Sequence, residues 1–296
     1  MSAQRQLLAG DRWHFQHGPI DVVIGADGEP GAVRAAHAAA WLRFENLLSE
    51  LVGELGWLRS PIDATDVDCP VHGSIARRMW NACRPFSHGF ITPMAAVAGS
   101  VAQELIACYG RPGVSRAWVN NGGDIALHLS KGTSVKVGLY ADLANFDRHA
   151  AAQAMDPLAH GALSMDGMFE VHASMPIRGI ATSGWRGRSH SLGIADSVTV
   201  FARTAAEADA AATIVANAVD VSHPSIVRVP ATDVREDSDL GSLCVTVEVP
   251  SLAPMLVARA LDAGKRVAEQ LRADDMLWGV VLTCQGQAVV VGSVLA

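Results

Sequence analysis

Residues 204–220, TAAEADAAATIVANAVD, follow directly on the strand-like run SVTVFA, and this junction constrains the fold more than any other stretch. A β-branched strand that feeds a clean helix, in a chain where strand pairs alternate with long helices, points to α+β architecture with sheets covered by helices. Thr204 and Glu207 stand three apart at the helix start and match a capping box. Asp209 and Thr213 are four apart, so they share a helix face with about 5–6 Å between Cβ atoms. Ala208, Ala210, Ala211, Ala212 and Ile214 put little bulk around them. One carboxylate and one hydroxyl oxygen suit Mg²⁺, which keeps waters and completes its octahedron with substrate phosphates. A solvent-facing polar pair has the same spacing.

The chain has 296 residues, enough for one large or two moderate cores. Half of them are apolar and 18% charged, which excludes a disordered chain. The net charge of −7, with no dense Lys/Arg run, argues against nucleic acid or an anionic membrane as the main partner. MSAQRQLLAGDRWH is not a signal peptide. Five cysteines at irregular spacing do not make a disulfide framework and fit a reducing cytoplasm. Residues 277–296 lack charge over the length of a membrane helix. Gln285-Gly286-Gln287 divides them, however, and the Val-rich flanks read as two buried strands joined by a tight turn.

Along the chain, residues 12–26 read as a hairpin turning at Gly18-Pro19, and residues 32–58 as one long helix ended by Pro61. SIARRMWNAC reads as a short helix. Pro93 and Gly110 bracket another. Residues 115–129 read as strand, tight turn, strand, and further strands are expected around 133–141, 169–173, 177–181, 197–202 and 242–249. Residues 142–167 read as a helix or an excursion, and 252–271 as a helix before the terminal hairpin. No linker separates the approximate halves 1–140 and 168–296, which read as one intertwined unit.

Two loops could carry chemistry. WVNNGGDIAL places Asn120, Asn121, Gly122, Gly123 and Asp124 between strands, where the glycines permit positive φ and close approach by a ligand. Asn-Gly alone suffices for a two-residue hairpin, so Gly-Asp is surplus to it. GIATSGWRGRSHSLGIAD combines Thr182, Ser183 and Gly184 with Arg186, Arg188, Ser189 and His190, the makings of a phosphate cradle or simply a surface loop. Trp185 could stack on a ring or pack. His88, in PFSHGF, is a candidate general acid or base as well as a candidate cap. Asp63, Asp66, Asp68, Cys69 and His72 lack paired His or Cys-x-x-Cys, and read as a solvated acidic loop.

In order, Asn-Gly-Gly-Asp, Ala-Thr-Ser-Gly, Ser-Val-Thr-Val and Ala-Asp-x-x-x-Thr resemble the ApbE-like superfamily, whose best-known members are FAD:protein FMN transferases. RWHFQHGPIDVVIG, SHGFITPMAAVAGSVAQEL and ATSGWRGRSHSLGIADSVTVFA resemble a bacterial branch of that superfamily across most of residues 12–295. The likeness to the transferases themselves spans residues 118–216.

The resemblance implies an ApbE-like, T-fold-related α+β fold and a class expectation of a homodimer. It also implies Mg²⁺ on Asp209 and Thr213, with FAD lying along Asn121, Gly122, Gly123 and Asp124 and near Thr182, Ser183 and Gly184. Arg186 and Arg188 would hold phosphates, and His190 or His88 would deprotonate a protein acceptor. Two departures matter: the Lys-Gly of the transferases is missing from PMAAVAGSVAQEL, and WRGRSHSLGIAD lacks His-x-x-Asp-Pro-x-Thr-Gly. Three functions stay open: flavin-nucleotide binding with FMN transfer, a non-catalytic nucleotide- or metabolite-binding accessory role, and catabolic chemistry on a small heterocycle.

Overall fold

The computed structural model of the chain describes residues 2–66, 68–139, 167–187 and 189–293. A meander of β1 (Gln4–Leu8), β2 (Arg12–His17) and β3 (Ile20–Gly28) leads into α1 (Pro30–Gly53) and the single turn α2 (Leu55–Leu58). After α3 (Ser74–Cys83), a 3-10 turn at Pro93–Ala96 runs into α4 (Val97–Ile106) and a further 3-10 turn ending at Tyr109. Next come β4 (Val114–Asn121), β5 (Asp124–Leu129), β6 (Ser134–Leu139), β7 (Gly167–His172), β8 (Gly179–Ser183) and β9 (Ser197–Ala202). α5 (Ala205–Ala218), β10 (Val227–Pro230), α6 (Ala231–Val234), β11 (Cys244–Glu248) and α7 (Pro254–Ala273) precede the terminal hairpin β12 (Gly279–Cys284) and β13 (Gln287–Val291).

Contacts divide this α+β chain into two compact units, each assembled from separate segments: Met1–Val135, His172–Ala181 and Phe201–Ala211 in one, and Lys136–Val171, Thr182–Val200 and Ala212–Ala296 in the other. In the first, the strand order is β1-β2-β3-β4-β5-β8. Cα partners in a ladder share a face. Trp13, Ile24, Val119 and Ala126 therefore form one stripe across four strands. α1 and α4 cover this face, where Phe15, Val22, Ile24, Phe44, Leu47, Leu105 and Val119 are buried. Each such side chain contributes about 1.5–3 kcal/mol.

Polar contacts then fix the helices against one another. His37 Nδ1 of α1 and the Tyr109 hydroxyl lie 2.6 Å apart in the core. Burial lowers the His37 pKa and raises that of the phenol, so both stay neutral. Glu104 of α4 accepts hydrogen bonds from Arg43 of α1 at 2.8 Å, and from Arg78 at 2.9 Å and Ser74 at 3.0 Å on α3.

In the second unit, β9, β12 and β13 are consecutive in the sheet, while β10–β11 and β6–β7 form two-stranded ladders. α7 packs on β12 and β13. The uncharged C-terminal run is thus a hairpin, turning at Gln285-Gly286 where both φ are positive (44° and 77°). No helix among the described residues is long and apolar enough to cross a membrane. All five cysteines are free thiols.

Two local expectations differ from the structure. The helix expected over 32–58 breaks at Glu54, whose carboxylate accepts the backbone N–H groups of His72 (2.6 Å) and Gly73 (2.8 Å). A contact from 18 residues away thereby overrides helical periodicity. The strand expected at 177–181 is displaced to Gly179–Ser183. β1 and β10 are short segments that periodicity does not reveal. The reading of residues 142–167 falls almost entirely outside the described residues.

Tyr109→Phe deletes the hydroxyl and leaves His37 Nδ1 buried without its partner. Urea unfolding should show a loss of about 1–3 kcal/mol with an unchanged m-value.

Candidate functional site

The first unit brings α4, the N-terminal part of α5 and the β4–β5 turn together around Asp209. Gly99 on α4 has no space for a side chain: a Cβ there would lie 2.2 Å from the Ala205 carbonyl oxygen and 2.9 Å from Asp209 Cβ. With that clearance gone, the Gly99 N–H reaches Asp209 Oδ2 at 2.8 Å. Asn121, the last residue of β4, donates from Nδ2 to the Ala98 carbonyl at 3.1 Å and so ties the hairpin to α4. Asn121 pairs with Asp124 in the ladder, placing Asp124 on the same face.

The turn itself is Gly122-Gly123, both at positive φ (69° and 118°), with Gly123 N–H bound by Asn120 Oδ1 at 2.8 Å. Both glycines are therefore used by the turn, and Asn121 and Asp124 flank it as strand residues. Sequence alone assigned the turn to Asn-Gly. A Cβ on Gly123 would meet nothing within 4 Å among the described residues.

Asp209 is enclosed on most sides while part of its surface stays open. Burial pushes its pKa well above the ordinary carboxylate value, and the negative charge of Asp124 pushes it further. The backbone N–H groups of Gly99 and Ala98 oppose this and do not outweigh it. Two carboxylates in mutual repulsion, one of them largely desolvated, form a site that either holds a proton or attracts a cation. Burial, and after it the charge of Asp209, raises the pKa of the Cys83 thiol. Among the described residues, no three His, Cys, Asp or Glu side chains converge to hold a metal alone, and that includes the acidic loop at Asp63–His72. Asp63 there caps its own turn through Thr65.

The remaining sequence candidates lie as follows. Thr213 is one turn beyond Asp209 on α5 and half-buried. The Thr182 hydroxyl meets that of Thr199 at 2.9 Å, and Ser183 ends β8. Gly184 is required by packing, since a Cβ would lie 2.4 Å from the Asp196 carbonyl. Trp185 donates Nε1–H to Asp196 Oδ1 at 3.3 Å, and the exposed Arg186 guanidinium stacks over its ring at 4.8 Å. His190 is half-buried and His88 exposed in a turn after α3. Arg188 lies outside the described residues. Sequence reasoning missed Ala98 and Gly99; their signal is a pair of small residues on a helix that also carries Ser100 and Ala102.

Residues 4–290 match the model of a protein family described as AbpE bacteria. The chain is similar to the UPF0280 protein of Methanopyrus kandleri, 38% identical over 218 residues, 73% of this chain and 78% of that one. It is also similar to UPF0280 proteins of Methanosarcina acetivorans (30% over 226 residues, 76% and 79% covered) and Methanoculleus marisnigri (34% over 255 residues, 84% and 92% covered). Among solved structures, an ApbE protein from Thermotoga maritima aligns with a TM-score of 0.46 at 10% identity, over 98% of this chain and 96% of that one.

Gly99→Ala should destabilise the protein by about 1–3 kcal/mol, because the obstruction is backbone that cannot swing aside; thermal melting reads this. The Asp209 shift has a definite sign. A carboxyl whose folded pKa is raised favours folding fully below the unfolded pKa, and that advantage is lost as pH rises through the folded value. Melting temperature in metal-free buffer should therefore fall from about pH 4 upward, and Asp209→Asn should flatten that slope.

Proposed function

The chain belongs to the AbpE bacteria family, and from that premise we propose that it binds a flavin nucleotide together with a divalent cation. The observation that carries this reading is Asp209: a desolvated carboxylate, repelled by Asp124 and opposed only by backbone N–H groups, fits a hard cation. Asp209 and Thr213 would hold it with one oxygen each, leaving its other positions to water and phosphate oxygens, as Mg²⁺ prefers. When bound, Mg²⁺ neutralises charge on a pyrophosphate.

The chain's own groups supply the remainder. The Gly122-Gly123 turn offers backbone that can approach a ligand closely, with Asp124 beside it. Thr182, Ser183 and the exposed Arg186 would contribute hydroxyl and guanidinium donors for phosphate oxygens. His190 or His88 would accept the proton of a Ser or Thr hydroxyl if FMN is transferred to a protein.

One observation favours binding without transfer. Where α4 meets Asp209 it presents Gly99, packed so that no side chain fits, and α4 carries no lysine. An accessory protein that carries a nucleotide or a metabolite, or an enzyme acting on a small heterocycle, needs neither that lysine nor a protein acceptor.

Calorimetric titration of the metal-free protein with FAD, with and without Mg²⁺, tests the reading. Micromolar binding that requires Mg²⁺ and is lost in Asp209→Asn is expected. Absence of binding under both conditions, or equal binding by the variant, would sink it. Incubation with FAD, Mg²⁺ and Ser/Thr-containing peptides, read by mass, separates transfer from binding alone.

A further inference from the structure

A cavity of about 400 Å³ lies in the first unit between α3, α4 and the start of α5, lined by Arg77, Arg78, Asn81, Gln103, Thr204 and Glu207 among others. Its size falls in the range of small-molecule sites. Three of its features decide what it can take. The N-terminus of α5 is already closed: Gln103 Oε1 accepts the Ala206 N–H and Thr204 Oγ1 accepts the Glu207 N–H, each at 3.2 Å. The helix end therefore does not recruit an anion by itself.

Arg78 is likewise committed, through Nη1, to Glu104 and to the Ser100 carbonyl. The Arg77 guanidinium, in contrast, has no partner among the described residues, and the Asn81 side chain and Gln103 amide N–H₂ are also uncommitted. Opposite in sign, Glu207 also lines the cavity with a side chain 38% exposed, and its inner oxygen Oε2 has no hydrogen-bond partner among the described residues. Its neighbour Arg203 Nε is 4.0 Å away, beyond hydrogen-bond reach.

The accessible part of the Glu207 carboxylate can accept an N–H group from a ligand in the cavity. A ligand that is only cationic would satisfy Glu207 and confront Arg77; one that is only anionic would do the reverse. We propose that this cavity binds a small zwitterion, with its carboxylate on Arg77 and its N–H-bearing cationic group on Glu207, while Asn81 and Gln103 select its polar middle. The cavity opens one turn before Asp209 on α5, and the proposal does not depend on a cation or nucleotide at Asp209.

The probe is 4-guanidinobutanoate, with butanoate and guanidinium as its separated halves, titrated by ligand-observed NMR into the full chain. The intact zwitterion should bind with a millimolar or lower Kd, and each half at least about tenfold more weakly. Arg77→Ala and Glu207→Gln should each weaken the zwitterion by about tenfold, the loss of one charge-assisted hydrogen bond. Arg77 is exposed, so its variant keeps the fold and leaves the response to FAD and Mg²⁺ unchanged. Lack of binding by the zwitterion, or binding indifferent to both substitutions, overturns the proposal. A failed FAD titration beside a positive result here would overturn only the nucleotide reading.

Discussion

The backbone-to-backbone approach of α4 and α5 at Gly99 is the constraint on which the candidate site depends. Only a residue without Cβ lets the Ala205 carbonyl and the Asp209 Cβ come this close. The alanines at 205, 206, 208 and 210 to 212, all buried, let α5 be approached on several sides. Close packing excludes water, so the local dielectric drops and a carboxylate placed there feels neighbouring charge strongly. The hairpin at Gly122-Gly123 then delivers Asp124 to the same region, and Asn121 anchors it to the Ala98 carbonyl.

Two carboxylates of this unit show what the packing accomplishes. Burial opposes the charge of Glu104, but hydrogen bonds from Arg43, Arg78 and Ser74 outweigh it and hold its pKa below the usual value. Burial opposes the charge of Asp209 as well, yet its neighbours are a second carboxylate and two backbone N–H groups, and its pKa rises. The first arrangement binds α1, α3 and α4 together. The second holds a carboxyl group whose charged form is disfavoured by burial and by the charge of Asp124. Glu207, in a loose ion pair with Arg203 at 4.0 Å, borders a cavity that Arg77, without a partner among the described residues, also lines.

Any side chain at position 99 of α4 would have to displace backbone of α5, not a flexible side chain. The family membership brings this chain a scaffold, and the α4 surface beside Asp209 is closed by packing at Gly99. Trp185 donates to Asp196 and lies beneath the Arg186 guanidinium.

Much of this protein could be read in advance because the cues were local. SVTVFA and the helix after it, the Pro93 start of a helical region, the Gly18-Pro19 hairpin and the split of the C-terminal apolar run by Gln285-Gly286 all follow from periodicity and turn chemistry within a few residues. Asp209, Thr213 and Asp124 could be singled out because charged and hydroxyl groups beside alanine and glycine are conspicuous. Tertiary structure alone decided that Glu54 would leave its helix for the amides of His72 and Gly73, that Gly99 would be the point of contact, and that Asp124 and Asp209 would share one field. Those outcomes are set by groups 18 to 110 residues apart, and their energies depend on distance and burial, quantities that no pattern along the chain encodes.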